Sequence, residues 1–183
     1  MPNANSDTAQ PLLDADAARR AVALALPMLV ASLDDRAVGE SGCMHVVVMD
    51  PGKAVGQYRF EDAILYEHSL PSRGRWDADY AHYARGKARL TWRTGIDSGQ
   101  VAASAAHLLC DGDMLLAGAV AQDGIVVAAS GANGWYDEAF ARCVAALLRA
   151  AVRERHEAAG LAVPVACISL DRPPPLAVPH PRR

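Results

Sequence analysis

The stretch that most constrains the fold is LLAGAVAQDGIVVAAS, two apolar runs split by Asp123-Gly124. Asp-Gly between such runs specifies a tight hairpin, because a type I′ turn needs positive φ at both central positions. An antiparallel pair over residues 115–122 and 125–130 follows. A second apolar run, HVVVMD at 45–50, ends at Pro51-Gly52, and AVGQYRF at 54–60 is predicted to return beside it as another hairpin. The next segment, EDAILYEHSLPSRGRWD, is polar and rich in turn residues and reads as a surface loop.

Helical spacing supplies the other layers. Ala18, Ala21, Val22, Ala25, Met28, Leu29 and Ser32 recur at three- and four-residue steps after an N-cap at Asp14 or Asp16. Pro27 predicts a kink or an end within that helix. A second helix is expected over 78–93 and a short one within 100–112. Tyr136, Phe140, Cys143, Val144, Leu147, Leu148, Ala151 and Val152 make a long apolar stripe on the last helix, with Arg142, Arg149 and Arg153 on its other face. Residues 1–12 are expected to be disordered, 13–160 to form the domain, and 161–183 to form an arm and a proline-rich tail. Within that arm LAVPVACISL (161–170) is an edge strand or packs against the domain. The order helix, hairpin, loop, helix, hairpin, helix implies an α/β (α+β) fold, an antiparallel sheet flanked by helices.

That order also bears on Ser130–Gly134. Small residues and two glycines lead into a helix there, an arrangement that can cradle an anion. A dinucleotide site needs a parallel strand before the glycine turn. Here the strand is the second arm of a hairpin, and G-A-N-G does not match G-x-G-x-x-G, so a Rossmann or P-loop site is rejected. The junction reads instead as a turn that shapes a pocket rim, with Ser130 and Gly131 beside any ligand.

Composition narrows the partners. The net charge is −3 and the arginines are scattered, which argues against nucleic acid. No run is apolar and long enough to span a membrane. The N-terminus lacks the pattern of a signal peptide, which points to the cytoplasm. Cys43, Cys110, Cys143 and Cys167 form no CxxC pair and are expected as free, buried thiols. The six histidines show no HxH or HExxH spacing, so no metal site is expected.

Three groups of residues carry chemistry. Lys87 shares an inward helix face with Tyr80, Tyr83, Ala84, Ala88 and Thr91, so it must snorkel, pair with a core carboxylate such as Asp50, or meet a ligand. Arg59, at the end of a predicted strand, would complete with Lys87 a two-cation clamp for carboxylates. Asp137 and Glu138 fall in the first turn of the last helix, where a carboxylate complements the helix dipole or serves as a general base.

The ordered motifs VVVMDPG (46–52), RFEDA (59–63), ARGKA (84–88), QDGIVVAASGA (122–132) and YDEAFA (136–141) resemble those of the GlcG/HbpS-like family, once called a domain of unknown function. The matched positions are Asp50, Arg59, Lys87, Gly131 and Asp137. The resemblance implies an antiparallel α/β sandwich, homo-oligomers, and members associated with heme or corrinoid binding, redox sensing and catabolic operons. In a heme-binding reading, Arg59 and Lys87 would hold propionates and His82 would be the axial ligand. Two other readings stand beside it: a non-catalytic accessory subunit of a larger enzyme, and an enzyme acting on a small organic acid. The chain departs from the family pattern at LLAGAV, which lacks a proline, and at VVAASG, which lacks an inner glycine. Its loop bearing Arg73, Arg75 and Trp76 is also longer.

Overall fold

The computed structural model describes residues 11–71 and 73–160. Of the stretch expected to be disordered, 1–12, residues 1–10 lie outside the described residues, as do the arm and tail expected at 161–183. Helix α1 spans Ala15–Leu33 and begins where the Asp14 carboxylate accepts from the Ala17 amide at 2.8 Å. It continues past Pro27, so the helix does not end there.

Strands β1 (Met44–Met49), β2 (Ile64–Leu70), β3 (Ala119–Gln122) and β4 (Ile125–Ser130) form one antiparallel sheet in the order β2-β1-β4-β3. The expected Asp-Gly hairpin joins β3 to β4, with Asp123 at φ 51° and Gly124 at φ 82°.

The first hairpin has a different second arm. Residues 54–59 are exposed and turn at Gly56 (φ 82°), and the expected loop segment supplies the strand instead, at Ile64–Leu70. Both choices have a physical cause. Val55 and Tyr58 have β-propensity but no face to bury. In β2 the alternation is masked because Glu67 and Ser69 share a sheet face with their partners Val47 and His45 and are covered there, and a bulge at Val48/Met49 shifts the register.

The sheet separates two cores. Met44, Val46, Val48, Val120, Val127 and Ala129 pack on one face against α1 and against α4 (Gly134–Ala158). Val47, Met49, Ala119, Val126 and Ala128 pack on the other against α2 (Tyr80–Thr94). The region 100–112 is split into α3 (Ser98–Ser104) and a 3₁₀ turn at Ala106–Leu108. Of the described cysteines, Cys43 is buried, Cys143 half-buried and Cys110 exposed, so the expectation of buried thiols fails at Cys110.

Candidate functional site

Lys87 lies on α2 and Asp137 on α4, helices on opposite faces of the sheet. They meet at the end of β4, where the chain turns through Gly131 into α4. Lys87 Nζ donates to Asp137 Oδ2 at 2.7 Å and to the Ala129 carbonyl at 3.0 Å. Asp137 Oδ1 accepts from the Ala132 amide at 2.9 Å. Both side chains are about 2% exposed. Burial pushes the Lys87 amine down and the Asp137 carboxyl up, each toward its neutral form, while their mutual attraction works the other way. The expected partner Asp50 is elsewhere: its carboxylate caps the Gly52 amide at 2.9 Å and faces Lys53 at 3.7 Å.

Two glycines make this approach possible. A Cβ on Gly118 would stand 2.8 Å from Lys87 Nζ and 2.7 Å from Asp137 Cβ. A Cβ on Gly131 (φ 146°) would fall onto the Cys43 carbonyl and stand 2.7 Å from Met44 Cα. Gly131 is therefore dictated by strand packing, and with it the path of the chain into α4.

The pair floors a cleft of about 360 Å³, walled by Tyr80, Tyr83, Leu116, Ala117, Ser130 and the turn Gly131–Gly134. Ser130 is 5% exposed. The amides of Gly134 and Trp135, in the first turn of α4, have no intrahelical acceptor. Those of Asn133, Tyr136 and Asp137 are already taken, by Val38 and by the Asn133 carbonyl.

The fold thus brings together Lys87, Ser130, Gly131 and Asp137. It leaves Arg59 and His82 apart from them. Arg59 is exposed and sits 3.8 Å from Glu61, and His82 is exposed on the rim of a separate cleft with Arg85, Arg89 and Met114. No two-cation clamp forms, because residues 54–60 are a turn and not a strand that leads to the pocket. Glu138 is bound to Arg142 at 2.9 Å, away from the pair. The three residues expected to hold heme do not share a cavity, and the Lys87 cleft has no histidine, cysteine or methionine in its walls. Those residues do not fit heme as a set.

Sequence reasoning missed a second polar cluster. Arg73 Nε donates to Ser69 Oγ at 3.3 Å, Ser69 Oγ meets His45 Nδ1 at 3.0 Å, and His45 Nε2 meets Glu67 Oε1 at 3.1 Å. Arg85 clasps both Glu67 oxygens, at 2.6 and 2.5 Å. A hydroxyl, an imidazole and a carboxylate in series can activate a nucleophile. Here the imidazole is fully buried and the serine oxygen already carries the Arg73 bond, so the chain of bonds fastens edge strand β2 to α2. No spacing rule signals it, because the residues meet across strands.

Burial pushes the Glu67 carboxyl up, but the bonds from Arg85 and His45 outweigh it and hold it down at about 2. A carboxyl depressed in the folded state contributes stability above its ordinary value of 4.5, and that stability is lost as pH falls toward 2. At ~1.4 kcal/mol per pH unit the loss is about 3 kcal/mol. Urea unfolding from pH 7 to pH 2 should show this acid limb, and Glu67→Gln should flatten it.

Among the described residues no three His, Cys, Asp or Glu side chains form a metal-binding group, and no helix is long and apolar enough to cross a membrane. No family model matches the sequence, and no curated protein does. Among solved structures, the chain is similar to the crystal structure of Klebsiella pneumoniae protein ORFY, of family DUF336. The TM-score is 0.50 at 14% identity, over 82% of this chain and 98% of that one. What the two share is the fold. DUF336 is the GlcG-like family, so the motif order and the fold agree at a distance.

Proposed function

We propose that the chain is a small-molecule-binding protein whose ligand sits in the Lys87–Asp137 cleft and presents a carboxylate to the turn at the start of α4. One observation carries this reading: the buried Lys87–Asp137 pair floors a cleft rimmed by Ser130 and the turn Gly131–Gly134, where the first turn of α4 leaves the Gly134 amide without an intrahelical acceptor. The Ser130 hydroxyl on the rim can donate to a ligand oxygen. The Gly134 and Trp135 amides favour a negative group. Tyr83, Leu116 and Ala117 offer an apolar wall for the remainder of the molecule. The volume, near the lower end of ligand pockets, selects a compact ligand. Lys87 acts through Asp137, fixing the turn.

Calorimetric titration with acetate, succinate and benzoate tests this, with hemin followed in the Soret region as a separate arm. The expected result is saturable binding of at least one carboxylate, weakened about tenfold by Ser130→Ala, some 1.4 kcal/mol, and unchanged by Arg59→Ala. Affinity indifferent to Ser130→Ala, or a hemin band lost in His82→Ala, would overturn it.

Assembly with other chains, as in the accessory-subunit reading, has its own support. The outer face of α1 exposes Leu24 (55%), Met28 (40%) and Val30 (51%), and no charged residue falls between Ala21 and Leu33. A sedimenting monomer that captures no enzyme subunit would remove that reading.

A further inference from the structure

We infer that the ligand of the Lys87–Asp137 cleft is a zwitterion, an α-amino acid with an apolar side chain. This rests on the carboxylate reading above and adds an ammonium to the same ligand. The charge of the cleft lining carries it. Lys87, Asp137 and Glu40 are the charged residues there. Lys87 and Asp137 cancel, since moving a proton from one to the other leaves the pair neutral overall. Lys87 spends two of its three N–H groups on Asp137 and the Ala129 carbonyl, and its side chain is about 2% exposed. It has little left to offer an incoming anion. Glu40 therefore gives the lining a net negative charge. It is exposed, and it takes part in none of the ion pairs among the described residues.

The backbone that carries Glu40 is fixed to the turn into α4. Ser41 Oγ donates to the Gly131 carbonyl at 2.6 Å, the Asn133 amide to the Val38 carbonyl at 2.9 Å, and Asn133 Nδ2 to the Ala37 carbonyl at 3.2 Å. A Cβ on Gly39 would stand 2.9 Å from Ala132 Cα, so the two segments touch backbone to backbone. The Glu40 carboxylate and the Gly134 amide thus belong to one rim. A ligand with a carboxylate alone would bring a second negative charge into the cleft with Glu40, and the two would repel. An ammonium on that ligand replaces the repulsion with a charge-assisted hydrogen bond to Glu40. The rings of Tyr80 and Tyr83 in the wall also favour a cation. Leu116, 48% exposed, and Ala117 leave apolar surface for a side chain, which the volume of about 360 Å³ keeps compact. A dicarboxylate is the ligand this lining rejects most strongly.

The test is calorimetric titration of the full-length protein with leucine, with isocaproate, which lacks the amine, and with isoamylamine, which lacks the carboxylate. Leucine is expected to bind about tenfold tighter than either. Glu40→Gln should weaken leucine by about tenfold and tighten isocaproate, opposite signs that a damaged fold would not produce. Isocaproate or benzoate bound as tightly as leucine, or leucine indifferent to Glu40→Gln, would overturn the zwitterion and leave the carboxylate reading standing. Isoamylamine bound as tightly as leucine, or no binding by any of these compounds, would overturn both.

Discussion

Gly131→Ala is expected to abolish the folded state at 37 °C, the largest single-residue effect in the chain. Two independent penalties coincide at this position. An alanine is forced to φ 146°, which L-residues rarely adopt, and its methyl is driven into the backbone of Cys43 and Met44. Neither neighbour can yield, because Met44 is fully buried and opens the central strand β1. Clash with immovable backbone belongs to the rare class of substitutions that exceed about 4 kcal/mol. Gly112→Ala is the control. It also has positive φ, 82°, but open space around the added carbon, and should lose only about 1 kcal/mol. Urea unfolding followed by circular dichroism separates the two; equal losses would show that the turn into α4 is not fixed by this contact.

The second large effect lies at the buried ion pair. Lys87→Met should cost about 3–5 kcal/mol, because it strands the Asp137 carboxylate where water cannot reach it. The double variant Lys87→Met/Asp137→Asn should recover most of that loss. Asparagine still accepts from the Ala132 amide, and both groups are already pushed by burial toward their neutral forms. The test is a double-mutant cycle in urea, with an expected coupling of about 2 kcal/mol or more. Additive single losses would mean that the two side chains are not energetically linked, whatever their separation. Gly118→Ala attacks the same contact from the third side, through Ala129, Lys87 and Asp137 at once.

These residues also show how far the sequence could be read. Lys87 stood out because a lysine in a face of alanines and threonine needs a partner, and its burial was legible. Its partner was not: Asp137 lies 50 positions away on a helix packed against the other side of the sheet, and only the path of the chain through Gly131 brings it round the strand end. The β3–β4 hairpin was legible because Asp-Gly fixes its turn locally. The arm paired with β1 was not, because strand choice between 54–60 and 64–70 depends on which segment can bury a face. Glu67 and Ser69 look like loop residues until His45 and Arg85 are placed opposite them. The misplaced strand in turn carried Arg59 into a clamp that the fold does not form.

The measurement that bears most directly on the account is a backbone amide NMR titration of the full-length protein with the tightest-binding carboxylate. The expected outcome is a set of saturable shifts converging on Ser130, Gly131, Gly134 and Trp135, with smaller ones at Tyr80 and Tyr83. Shifts centred on His82, Arg85 and Met114 instead, or none beyond the general effect of salt, would contradict the assignment of the Lys87–Asp137 cleft as the binding site.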